Sequence, residues 1–397
     1  MVVGSFTVKK RDGLARVGVL ETAHGAIDTP AFMSVGTMGA VKGVLFDQIK
    51  ELGAQIVLMN AFHLAWRPGE DLVAELGGLR RFCGWNGPIL TDSGGFQIFS
   101  LPGLRKVTDE GAAFAGPYDG RQRMFTPENV VELQWTLGAD ILMPLDECPP
   151  HPCSPAVLAS AVTRSLLWAK RSRRRHAAVS AAGGEAYSRE RFSRLHFGIV
   201  QGGIDERERA RSLAETAALE FDGYALGGVC VGEQAEESHR IVAFTAPRLP
   251  DDKPRYLMGV GKPLDILHAI GGGVDMFDCT IPTRNGRNGT IYTAEGLLRI
   301  RNARYARDPQ PLDERCVCPT CRTFSRAALR HFLLSKEINA AMLLSIHNLA
   351  FYLKLMKDAR EAIAAGAFQA YFRAQESIWR ANESADDESE KSDGPDD

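Results

Sequence analysis

The chain has 397 residues, 45% hydrophobic and 24% charged, the balance of an ordinary globular protein with room for one large α/β barrel or several smaller domains. No run of about 18 uncharged apolar residues occurs and the N-terminus MVVGSFTVKKRDG lacks the layout of a secretory signal, so the expectation is a cytoplasmic protein with no membrane partner. The formal net charge of −2 hides an asymmetry, because residues 383–397 hold eight acids and one lysine, contribute −7, and leave the rest of the chain at +5. That acidic, aromatic-free end cannot bury enough surface to fold and reads as a disordered tail behind a folded body of residues 1–382. A mildly basic body suits a phosphate-bearing partner without requiring one.

Eight short apolar runs follow in chain order: 29–36, 54–60, 88–92, 139–146, 195–203, 222–228, 255–261 and 273–278. Most are separated by stretches of helical periodicity such as TPENVVELQWTLG and ERERARSLAETAALEF. Runs of that length alternating with helices predict a parallel α/β sheet, either a (β/α)8 TIM barrel or an open doubly wound sheet. The placement of unusual polar residues and glycines favours the barrel. Asn60, Asp92, Asp146, Gln201, Gly228, Gly259 and Asp278 all close separate strands, and in a barrel those ends converge on one mouth. Three segments lie outside the pattern. Residues 168–190 read as a helix end with a basic run, KRSRRRH, followed by a flexible insertion; residues 312–350 form a cysteine-bearing subdomain; the acidic tail is the third.

Eight cysteines in a reducing compartment argue for metal or catalysis before disulfides. Cys316, Cys318 and Cys321 form C-x-C-x-x-C, a knuckle that grips one face of a zinc ion; a structural site needs a fourth ligand, and spacing leaves both His331 and His347 open. Cys83, Cys148, Cys153, Cys230 and Cys279 are scattered and read mostly as small buried hydrophobes.

In LTDSGGFQ, Asp92 ends a strand and is followed by Ser93, Gly94 and Gly95, whose bare backbone lets a ligand come close. PLDECPP ends another strand with Asp146 and Glu147. Either acid alone is as easily a helix cap. Several carboxylates facing one mouth are what displacement at a sugar carbon needs, one as nucleophile and one to move the proton of the leaving group. Gln201, with a donor and an acceptor, suits the edge of a flat heterocycle. Strand alternation in GGGVDMFDCTIPTRNGRNG puts Asp278 at the mouth and Asp275 on the other face, and the glycine-rich loop that follows offers Arg284 and Arg287 to phosphates. The basic run 170–176 reads equally as a nucleic-acid contact or a helix end.

The series LTDSGGFQ, DEC, GGVCVGE, YLMGVGKP, DMFDCTIPTRNGRNG, RNARY, the cysteine cluster and HNLAFY resembles the bacterial queuine tRNA-ribosyltransferases, also called tRNA-guanine transglycosylases, from about residue 5 to about residue 380. The resemblance implies a (β/α)8 barrel with an inserted zinc-binding subdomain. It also implies exchange of guanine at the wobble position of GUN-anticodon tRNAs for a 7-deazaguanine base in queuosine biosynthesis. By the same resemblance Asp278 is the nucleophile at C1′, giving a covalent enzyme–RNA intermediate, and Asp92 is the general acid/base. Asp92, Ser93, Gly94, Gly95, Phe96, Asp146, Gln201, Gly228 and Met258 surround the base. Gly259, Val260, Gly261, Lys262, Pro263, Leu264 and Asp265, with Thr283, Arg284, Asn285, Gly286 and Arg287, contact the RNA. The ligands of one structural Zn2+ become Cys316, Cys318, Cys321 and His347, and the assembly becomes a homodimer. The sequence departs from the family pattern at Val229 and Cys230, where GGLAVGE is usual, and at NAFHL (60–64), where NTYHL is usual. Cys148 and Val231 match the bacterial form, which takes 7-aminomethyl-7-deazaguanine rather than queuine. The alternatives are the same fold using queuine directly, a non-catalytic RNA-binding subunit, and a carbohydrate-acting barrel hydrolase.

Overall fold

The computed structural model describes residues 2–95, 97, 105–116, 120–188 and 191–390. Eight parallel strands close on themselves: β4 (Ala31–Val35), β5 (Val57–Asn60), β6 (Ile89–Asp92), β10 (Ile141–Leu142), β11 (Leu195–Val200), β12 (Gly223–Leu226), β13 (Arg255–Leu257) and β14 (Met276–Cys279). Each falls within one of the eight apolar runs, except that β14 runs one residue past its run, to Cys279. Closure is made where β14 pairs with β4, Met276 opposite Ala31 and Cys279 opposite Ser34. This is the (β/α)8 barrel, and the open sheet is excluded.

Inward side chains Met33, Leu58, Leu90, Ile141, Ile199, Tyr256 and Met276 fill the barrel. They continue into Leu20 and Ile27 of an N-terminal antiparallel sheet, β1 (Phe6–Asp12), β2 (Ala15–Thr22) and β3 (Gly25–Thr29), which plugs the bottom. A second small sheet, β7 (Arg105–Thr108), β8 (Gly111–Ala115) and β9 (Gln122–Phe125), is inserted after β6, and its Phe114 and Phe125 pack on Phe62. Neither small sheet is anticipated by the run pattern.

The basic run is not a helix end. The helix Pro155–Ala181, started by the Ser154 cap, runs straight through it. Its cations serve the fold: Lys170 pairs with Glu215, Arg171 with Glu128 and Arg175 with Glu132, while Arg173 donates to the carbonyls of Leu219 and Glu220.

Between β14 and the long helix Ile338–Ala364 lie a helix (Ile281–Asn288), the hairpin β15 (Thr290–Thr293) and β16 (Gly296–Arg299), a 3-10 turn (Ala303–Tyr305) and two further short helices (Pro319–Thr323 and Arg326–Leu334). The stretch carrying Arg284 and Arg287 is therefore helical, where the sequence reads as a loop. Asparagine and glycine are poor helix formers, so packing holds it. A Cβ at Gly286 would stand 2.9 Å from the Ser345 backbone nitrogen, so the bare backbone lets the two helices touch. Helix Ile338–Ala364 is long and apolar enough to cross a bilayer by length and composition, yet half of its most apolar window is buried in the protein. The last helix, Phe368–Glu390, extends through residues 383–390 of the acidic segment expected to be disordered; residues 391–397 lie outside the described residues.

Candidate active site

The strand ends open on a cavity of about 670 Å³ lined by Asp92, Asp146, Gln201, Gly228, Met258 and Asp278, among others. Asp278, last but one in β14, is half-buried; its Oδ1 accepts hydrogen bonds from the Tyr256 hydroxyl at 2.6 Å and the Gly259 backbone N–H at 2.8 Å. Burial raises its pKa above the ordinary carboxylate value, and those two donors act against the rise. Asp92 Oδ2 accepts from Asn60 Nδ2 at 3.0 Å, and the other end of the same amide caps the helix that starts at Ala61. Its pKa is pushed up to about 7, first by burial and then by the like charges of Asp146 and Asp278. Asp146 Oδ2 accepts from Gln201 Nε2 at 2.6 Å; burial pushes it up to about 6 against that hydrogen bond.

The recognition wall is built by glycines. A Cβ at Gly95 would stand 1.8 Å from Asp146 Oδ1, and one at Gly228, where φ is +61°, would stand 2.3 Å from Gln201 Oε1. Gln201 Oε1 is buried with no hydrogen-bond partner in the protein, an acceptor left for a ligand. Behind the wall, buried Arg209 donates to the carbonyls of Val200, Gly203 and Gly228 and fixes the loop. Glu233 accepts from the backbone N–H groups of Cys230 and Val231 and from Ser238 Oγ, which holds Cys230 at φ +60°.

Ser93 is fully buried beside Asp92, and Gly94 has φ +102°; Phe96 lies outside the described residues. Val260, Gly261, Lys262, Asp265 and Arg284 line the cavity rim. Pro263 and Leu264 do not; Pro263 is buried at the start of its helix and Leu264 packs on the core. Thr283 is buried, and Asn285 donates to the Tyr292 hydroxyl at 2.8 Å. Arg287 keeps Nη1 buried without a protein partner. Asp275 belongs elsewhere. It is fully buried near the barrel floor, bound by both Nε and Nη2 of the equally buried Arg16 and by the Arg255 backbone N–H. Of the scattered cysteines only Cys148 is buried, and with Cys230 and Cys279 it also lines the cavity. Asn60, Tyr256 and Arg209 are the partners that the motif reading missed; strand alternation in β13 does aim Tyr256 inward.

In the inserted subdomain the ligating atoms of Cys316, Cys318, Cys321 and His347 lie within 4.8 Å of one another. Geometry thus selects His347, not His331. Its Nδ1 faces the sulfurs while Nε2 donates to the Tyr292 carbonyl at 2.9 Å, orienting the ring as metal-binding histidines require. The cluster could hold a metal ion.

A closed barrel whose strand-end mouth gathers three carboxylates, each raised in pKa by burial, beside an unpartnered amide oxygen has the layout of a barrel enzyme's active site. The family model described as queuine tRNA-ribosyltransferase matches residues 11–380. Two queuine tRNA-ribosyltransferases are each 50% identical to this chain: that of Nitratidesulfovibrio vulgaris over 95% of it and 97% of the relative, and that of Methylobacillus flagellatus over 92% and 95%. That of Solidesulfovibrio magneticus is 48% identical over 96% and 99%. The chain belongs to the queuine tRNA-ribosyltransferase family, the tRNA-guanine transglycosylases, and is an enzyme.

Proposed function

We propose that the enzyme exchanges guanine at the wobble position of GUN-anticodon tRNAs for 7-aminomethyl-7-deazaguanine, through a covalent enzyme–RNA intermediate. The observation that carries this reading is the division of labour among the carboxylates. Asp278 has two donors on one oxygen, which favour its anion and aim the other oxygen at the cavity. As nucleophile it bonds to C1′ of the ribose while the bond from C1′ to guanine N9 breaks, its electron pair leaving with the base. Asp92, near 7, can supply the proton that the departing base takes up and remove one from the incoming base. Attack of the new base at C1′ then releases the Asp278 carboxylate. Asp146 and the free Oε1 of Gln201 offer acceptors to ring N–H donors, and the backbone at Gly228 completes the edge reading. Cys148 and Val231 on the cavity wall support the small aminomethyl base.

Lys262 and Arg284 are cations at the rim, with Arg287 one turn further along the Arg284 helix, and they suit anticodon-loop phosphates. Three thiols and an imidazole are a donor set that suits zinc in a closed, structural site. When bound, zinc would clamp the knuckle 316–321 to helix Ile338–Ala364. Exposed Leu45 and Ile338 flank the contact of Gly43 with that helix and support a homodimer face.

The test is a covalent adduct. Enzyme mixed with a GUN-anticodon tRNA and run on a denaturing gel should give a shifted band that Asp278→Asn abolishes. Labelled guanine in that tRNA should be displaced by the aminomethyl base and not by queuine. An undiminished adduct in Asp278→Asn would refute the nucleophile assignment.

A further inference from the structure

Asp265 sits in the segment expected to touch RNA and lines the cavity rim, yet its carboxylate is engaged by a neighbouring helix. It lies in the first turn of helix Pro263–Gly271, and its Oδ1 accepts from His239 Nε2, on helix Ala235–Thr245, at 2.8 Å. Its side chain is 18% exposed, less than the 28% of His239. His268, one turn further along the Asp265 helix, stacks on the His239 ring at 4.1 Å, and Phe372 of the last helix meets the edge of His268 at 4.6 Å. A carboxylate on a phosphate-binding rim would repel its ligand; one in a stack of this kind is spoken for.

The two helices carry the loops that follow the neighbouring strands β12 and β13 and that line adjacent parts of the catalytic cavity. Residues 227–234 precede the first and make the recognition wall. Residues 258–262 precede the second and include the Gly259 N–H that holds Asp278. Each loop is tied down on its far side, the Gly228 carbonyl by Arg209 and the Gly261 carbonyl by the Tyr352 hydroxyl. The helices share a buried apolar face through Ile241, Val242, Ile266 and Ile270, and beside it the interval opens. It contains a cavity of about 590 Å³ whose lining includes Val242, Leu267 and Phe372 as well as His239, Asp265 and His268. In that open part side chains do not interdigitate, and a directional polar contact sets the spacing there.

We infer that Asp265 is a positioning residue: with His239 it forms a latch that sets the spacing between the base-recognition loop and the loop that holds the nucleophile. The inference rests on the transglycosylase reading for its kinetic consequences but not for its physical one.

Hydrogen exchange of residues 227–234 and 258–262 reads the latch without any reaction. His239→Ala and Asp265→Asn should each speed exchange in both segments, and His239→Gln, which restores a donor at the Nε2 position, should return it towards wild type. In guanine exchange the first two variants should raise KM for guanine by about tenfold, the factor expected for one hydrogen bond to a charged group. The double variant should be no worse than either single one, with tRNA affinity and its salt dependence unchanged. Unchanged hydrogen exchange in His239→Ala would overturn the latch. So would an altered salt slope of tRNA binding in Asp265→Asn, which would return Asp265 to the RNA. If the wild-type protein failed to incorporate guanine, the transglycosylase reading would fall while the exchange measurement still decided the latch.

Discussion

Replacing Tyr256 by phenylalanine removes one oxygen from the wall of the site and leaves the ring in place. Tyr256 is fully buried, and its hydroxyl gives Asp278 the shorter of its two hydrogen bonds, 2.6 Å against 2.8 Å from Gly259. A hydrogen bond to a charged group contributes about 1.5–3 kcal/mol. Its loss therefore shifts the balance between Asp278 carboxylate and carboxylic acid by a factor of about ten to a hundred towards the acid. Burial already raises this pKa, and one of the two interactions opposing the rise disappears, so the direction is upward. The nucleophile must be ionised to attack. Guanine exchange in Tyr256→Phe should thus fall steeply on the acid side, with its acid limb moved to higher pH, and recover as the pH rises. The assay is the initial rate of labelled guanine incorporation into a GUN-anticodon tRNA across the pH range, with thermal melting as a control on folding. An acid limb that stays where it is in wild type, in a folded variant, would refute the assignment of Asp278 and the role of its hydroxyl donor together.

Asp275→Asn should leave a fully buried Arg16 with only the exposed Asp251 as counter-charge and cost about 3 kcal/mol of stability in denaturant unfolding; a loss below about 1 kcal/mol would mean that the pair does not brace the barrel floor. At permissive temperature the folded variant should keep wild-type KM values, because Asp275 is remote from the mouth. Cys321→Ser should strip one equivalent of metal by elemental analysis and lower the melting temperature, while a variant that retains full metal content would remove Cys321 from the ligand set.

The barrel is legible in the sequence because buried parallel strands must be continuous apolar runs and because polar residues at their ends have one place to go. β10 shows the limit: only Ile141 and Leu142 of the run 139–146 pair as strand, and the rest carries Asp146 out into the mouth. The choice of Asp278 over Asp275 follows from alternation, and their environments separate them as sharply as their faces do. The partners are harder. Tyr256 reaches Asp278 across 22 residues and Asn60 reaches Asp92 across 32, separations that only the folded chain makes short, here by pairing β13 with β14 and β5 with β6. The same holds for His347, which a spacing rule could not prefer to His331. The basic run misleads for a different reason. Its cations look unpartnered in one dimension, and the acids of Arg171, Arg175 and Lys170, namely Glu128, Glu132 and Glu215, arrive on neighbouring helices.

Gly286 gives the rim of the site its height. Its helix lies directly on the backbone of helix Ile338–Ala364, with no side chain as a spacer, and Arg284 and Arg287 ride on that helix. The level at which a phosphate would be met is thus dictated by an atom that is missing. Any larger residue at 286 acts as a shim, lifting both guanidinium groups together and altering their reach without touching either one.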